Sequence, residues 1–176
     1  MIELANDGTY EKQLKDIRKL HSSGVNGDQK AVQQAHQKLA ALRQAQPGNA
    51  VIEAYYGSSL ALLARDTIKL LEKDELAREG LDALNRAVAL DAGSKEVRLL
   101  RGNVCVRLPD SFFQTARIAI EDFTFLLHTN RASAGYLSAS EVKDVLGHLI
   151  KAYESAGQPD MAKQTALQLA GLKGKG

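Results

Sequence analysis

An all-α fold is predicted by three features of the chain. Apolar residues recur at three- and four-residue spacing in every long segment, and Ala and Leu outnumber the β-branched residues. No segment alternates in the manner of a strand, and no Asn-Gly turn lies between β-rich runs. The 176 residues suffice for one core. A single helical domain is expected over 1–172, with 173–176 as a flexible Lys-Gly tail.

The elements follow in order. Tyr10, Leu14, Ile17 and Leu20 define a helix from about Thr9 to Ser22. Gly24 to Asp28 is a turn, and Asp28 caps a second helix carrying Val32, Ala35, Leu39 and Leu42, stopped by Pro47-Gly48-Asn49. The third helix, about Ala50 to Arg65, is apolar nearly all round and is expected to be the most buried. Gly57 inside it costs about 1 kcal/mol against Ala, so a neighbouring helix is expected to approach there. A fourth helix starts at Lys69 or Asp74 and runs to Leu90.

Gly93 and Ser94 stop one helix and cap the next, which covers about Lys95 to Leu108. A sixth is expected from Ser111 to His128. It holds all four Phe residues, which makes it the expected anchor of the core. Thr129 to Ser138 reads as a loop. The last pair spans Ala139 to Ala156 and Pro159 to Leu172, with Pro159 in the first helical turn. The total is eight helices in four antiparallel pairs.

Composition excludes several functions. The 23 basic and 21 acidic residues are interspersed, and a net charge of +2 does not point to nucleic acid or an anionic membrane. The first seven residues lack the basic and apolar regions of a signal peptide, and no apolar run approaches a membrane span, so a cytoplasmic setting is expected. Cys105 lies among apolar residues and reads as a buried, inert thiol.

His21, His36, His128 and His148 have no zinc-type spacing, and Ser58-Ser59 is not a nucleophile elbow. The acidic residues read as solvated helix faces, Asp122 included. No metal, no cofactor and no enzymatic activity are expected.

A repeat runs through the second helix of each pair. A small residue is followed by apolar residues four and seven positions on: Ala35, Leu39, Leu42; Gly80, Leu84, Ala87; Ala119, Phe123, Leu126; and Ala162, Ala166, Leu169. The first helices carry Gly57 with Leu60 and Gly102 with Cys105, and the last pair has Ile150 with Tyr153. Small residues let helices approach, and a lone hairpin cannot bury its apolar face, so such hairpins stack.

On these residues the chain resembles the tetratricopeptide repeat family from about Ala35 to Leu169. The best matches are Ala152 to Ala162 and Leu84 to Gly102. It resembles more distantly bacterial members of unassigned activity, through Ala54 to Leu60 and Arg98 to Asn103. The resemblance implies a right-handed α-solenoid of about four antiparallel helix pairs. The sets here recur every 39 to 45 residues, against 34 in that family. A period near 40 also suits HEAT-type pairs, and a compact bundle is the remaining alternative.

The resemblance also implies a concave groove lined by the first helix of each pair. Matching positions are Tyr55, Ser58 and Leu62, then Leu99, Asn103 and Arg107, then His148, Lys151 and Ser155. Arg65, Arg98 and Arg101 are expected on the rim. One subfamily grips the C-terminal carboxylate of chaperones, but its positions fall here on Ala54, Ser58, Leu100, Asp144 and His148, and all depart.

The implied function is a non-enzymatic scaffold for a protein or peptide partner. Tyr55, Ser58, Leu62, Asn103, Arg107, His148 and Lys151 are the expected contacts. Two alternatives stay open: a homodimer formed through Leu167 and Leu172, and a helical small-ligand protein with a pocket around Tyr55, Tyr56 and the Phe residues.

Overall fold

The computed structural model describes the backbone of residues 2–173 and the side chains of residues 8–172. The described residues are all α-helical in their regular structure, with no strand. Nine helices appear among them: α1 (Ile2–Val25), α2 (Gln29–Ala45), α3 (Ala50–Asp66), α4 (Leu70–Leu90), α5 (Lys95–Cys105), α6 (Asp110–Phe113), α7 (Ala116–Ala132), α8 (Ala139–Ser155) and α9 (Pro159–Lys173). None is long and apolar enough to cross a membrane. The chain divides into two compact units, Met1–Asp91 and Ala92–Gly176. Of the expected tail, Lys173 closes α9 and residues 174–176 lie outside the described residues.

Local capping sets most boundaries. Asp28 accepts from Ala31 N at 3.0 Å, and Asn49 accepts from Val51 N and Ile52 N at 3.1 Å. Ser94 caps α5, and Ser138 with Glu141 forms a reciprocal capping box on α8. α8 ends in a Schellman turn. Gln158 N donates to Tyr153 O at 2.8 Å and Gly157 N to Glu154 O at 3.1 Å, which places Gly157 at φ 68°. That left-handed backbone is why a glycine stands four residues after Tyr153.

In the first unit, Leu14 and Ile17 of α1, Val32 and Leu39 of α2, Ile52 and Leu60 of α3, and Leu84 of α4 are buried. α3 is the central helix, buried as expected along most of its length. It crosses α4 at Gly57 and Gly80, where the two backbones come too close for a Cβ on either side. Polar contacts close the other flank. His21 Nε2 meets Ser58 Oγ at 2.8 Å, and His36 Nδ1 meets Ser59 Oγ at 2.9 Å.

In the second unit, Val97, Phe123, Leu126, Val145, Leu146, Leu149 and Ala162 form the core. The predicted sixth helix is broken there. Gln114 adopts a left-handed φ of 53°, which separates the single turn α6 from α7. Asp110 Oδ1 accepts from Ala116 N at 2.7 Å, and Thr115 Oγ1 donates to Cys105 O at 2.9 Å. These short side chains satisfy the ends of α7 and α5, and so compete with a continuous helix. The break also undoes the expected Phe anchor: Phe123 is buried, while Phe112 is 76% exposed on α6.

Candidate functional site

Two surface concavities are lined by polar side chains that the helices hold in place. The first lies in the second unit. Leu99, Asn103 and Arg107 follow one another at four-residue spacing along α5 and the turn after it. Glu141, Asp144, Val145 and His148 face them from α8 at helical spacing, and together these residues line a concavity of about 290 Å³.

Asn103 Oδ1 is buried without a hydrogen-bond donor. Arg107 reaches back so that its Nη1 donates to Asn103 O at 2.6 Å. Glu141 is fixed by Ser138 N at 2.7 Å and Lys95 Nζ at 3.2 Å; the Ser138 backbone bond and then Lys95 hold its carboxyl below the usual range. His148 lies 5.7 Å from the Phe123 ring. Burial lowers its pKa, Arg107 and Lys151 push the same way, and Asp144 opposes them.

Three of the seven expected contacts, Asn103, Arg107 and His148, thus share one concavity. Lys151 is exposed, one helical turn beyond His148 on α8. The other three lie elsewhere. Tyr55 and Ser58 are buried under α1, where the His21 ring meets Tyr55 edge-on at 5.0 Å and bonds Ser58. Leu62 sits half-buried near Gly24 of the same helix. α1 therefore covers the face of α3 that was expected to line an open groove.

The expected rim is corrected too. Arg98 and Arg101 are buried, and they bind Asp122, which is fully buried rather than solvated. Arg65 is the exposed one of the three, and donates to Gly24 O at 3.0 Å and to Asp66.

The second concavity, in the first unit, was not anticipated. Its polar centre is Glu53, buried in α3 and bound by Arg43 of α2 and Arg86 of α4. The signal was a lone carboxylate in the apolar run Ala50 to Tyr56. A charge in that position must be paired to be buried.

Neither concavity is lined by a serine, threonine or cysteine. Cys105 is buried, and its pKa is pushed up to about 12, chiefly by burial. Among the described residues no cluster of His, Cys, Asp and Glu is placed to hold a metal ion. What the arrangements offer is hydrogen bonding and charge beside apolar walls.

His36 and His148 make stability depend on pH. Both have a folded pKa lowered from 6.5, each mainly by burial. Between the folded and unfolded values the unfolded chain binds more protons, so stability rises with pH there. The contribution is complete above about pH 6.5 and is lost as pH falls through the lower folded values. The urea midpoint is expected to fall between about pH 7.5 and about pH 5.5, less so in a His36→Gln, His148→Gln double variant. Equal slopes for the two proteins would contradict this assignment.

Comparison with protein-family models, with curated proteins and with solved structures finds no match in any of the three.

Proposed function

We propose that the chain is a non-enzymatic scaffold that holds a peptide segment of another protein, with the α5–α8 concavity as one binding surface. The observation that carries this reading is the buried Asn103 Oδ1 without a donor. Leaving such an acceptor unpaired costs about 1–3 kcal/mol. Asn103 is half-buried and lines the concavity, so a turn of its side chain would bring this oxygen to a backbone N–H of a docked segment. Leu99 supplies apolar contact, while Arg107 and Lys151 add positive charge for orientation.

A tetratricopeptide-like stacking of helix pairs is part of the proposal. It is supported by burial of the repeat sets Ala35, Leu39, Leu42; Gly80, Leu84, Ala87; and Ala119, Phe123, Leu126. The fourth set supports it less, because Ala166 is exposed.

The test is a variant with Asn103→Ala, Arg107→Ala and Lys151→Ala. It is expected to keep wild-type helicity and to bind a partner identified by crosslinking about tenfold or more weakly. Undiminished binding would remove the α5–α8 surface from consideration. Sedimentation of the free protein belongs beside it. A mass that rises with concentration would favour self-association instead, for which Leu167 (67% exposed) and Leu172 are available.

A further inference from the structure

The larger concavity, about 660 Å³, lies in the first unit, where α2 and α4 flank α3. Glu53 is only 7% exposed, and both of its oxygens are engaged. Arg43 Nε donates to Oε2, Arg43 Nη2 donates to Oε1 at 3.0 Å, and Arg86 Nε donates to Oε1 at 2.8 Å. The Arg43 guanidinium also lies 4.6 Å from the Tyr56 ring centroid. Two guanidiniums are thereby fixed in orientation by one buried carboxylate.

This arrangement leaves charge and donors over. Two cations face a single anion in the lining; Glu79, on the Tyr56 hydroxyl at 3.0 Å, is the next carboxylate. A guanidinium has five N–H donors. Arg86 Nη1 and Nη2 and Arg43 Nη1 have no partner among the described residues. The walls are apolar, with Ala40, Pro47 and Leu90, and Pro47 and Leu90 are exposed. The concavity is therefore open to solvent along one side.

We propose that this concavity binds a peptide segment that presents one carboxylate to Arg43 and Arg86 and lays an apolar side chain against Ala40, Pro47 and Leu90. Charge complementarity selects the carboxylate, since charge-assisted bonds from pre-oriented guanidiniums are the strong ones. The open side selects a polypeptide, because small-molecule sites enclose most of their ligand. Glu53 acts as a positioning residue: it aims both arginines and leaves their outer N–H groups for the partner.

This inference rests on the reading of the chain as a binding protein, but not on the α5–α8 surface. The experiment uses the full chain and follows the arginine Nε–H resonances by NMR. The probes are acetyl-Ala-Leu-Glu-Leu-Ala-amide, the same peptide with Gln in place of Glu, and free isovalerate. Saturable shifts at Arg43 and Arg86 are expected with the Glu peptide, with about tenfold weaker binding of the Gln peptide.

Arg86→Gln, which keeps the Arg43–Glu53 pair, is expected to abolish the effect. The triple variant at Asn103, Arg107 and Lys151 is expected to bind the Glu peptide normally, which separates failure here from failure of the α5–α8 surface. Absence of saturable shifts, equal affinity for the two peptides, full binding by Arg86→Gln, or isovalerate binding as tightly as the peptide would each overturn the proposal.

Discussion

Replacing Gly57 with Ala is expected to destabilise the Met1–Asp91 unit by about 1–3 kcal/mol, although Ala is the better helix former by about 1 kcal/mol. The reason is the helix crossing. A Cβ on Gly57 would stand 2.6 Å from Gly80 O, 2.9 Å from Leu84 Cγ and 3.0 Å from Ala83 Cβ. A Cβ on Gly80 would in turn stand 2.7 Å from Gly57 O. The obstacle on each side is backbone, fixed within a helix, so no rotamer change relieves it. α3 and α4 must move apart, and the buried contacts of Leu60 and Leu84 open with them.

The opposite sign is expected for Gly147→Ala. Gly147 lies inside α8 with nothing within 4 Å of its ideal Cβ, so the helix gains without a clash. That variant should be more stable by about 0.5–1 kcal/mol. Urea unfolding compares the two, and amide exchange in α3 and α4 locates the loss. If Gly57→Ala proves as stable as the parent, the close crossing is not what places a glycine there.

What was legible in the sequence was mostly local. Asp28 and Ser94 mark helix starts because a cap acts within three residues of itself; Asn49, read as part of a stop, and Ser138, read as the end of a loop, prove to be caps of the same local kind. Gly57 announced a close approach, and Gly80 belonged to a recognised set, but their pairing is a contact between helices. The break at Gln114 was missed because helical periodicity does not register the cap bonds of Asp110 and Thr115.

The site residues divide in the same way. Asn103, Arg107 and His148 come together because α5 and α8 present regular faces. Tyr55 and Ser58 do not join an open surface, because His21 on α1 reaches both, and nothing near Ser58 in sequence records that contact. Arg98 and Arg101, three apart on α5, and Asp122 amid Ile and Phe were each visible. Their mutual attraction was not, since it depends on how α5 packs against α7.

That triad carries the other large effect. Asp122→Ala is expected to cost about 3–5 kcal/mol. Asp122 is fully buried, and Arg98 and Arg101 are 8% and 7% exposed. Arg98 Nη1 donates to Oδ1 at 2.7 Å, Arg101 Nη2 to Oδ1 at 2.8 Å and Arg101 Nε to Oδ2 at 2.8 Å. Without the carboxylate, two desolvated guanidiniums face each other. Glu121, which also accepts from both, is largely exposed and cannot replace a charge at the centre.

Asp122→Asn should cost less, because the amide oxygen still accepts, although the charge is lost and an NH2 donor then faces one of the arginine N–H groups in place of the second carboxylate oxygen. The decisive comparison is Asp122→Leu with Arg98→Met and Arg101→Met. Removing every charge at once removes the desolvation penalty as well, so this triple variant is expected to recover most of the stability lost by Asp122→Ala. Urea midpoints rank the four proteins. If Asp122→Ala unfolds like the parent, the network contributes nothing to the fold. If the triple variant is the least stable of all, packing rather than unpaired charge governs this site.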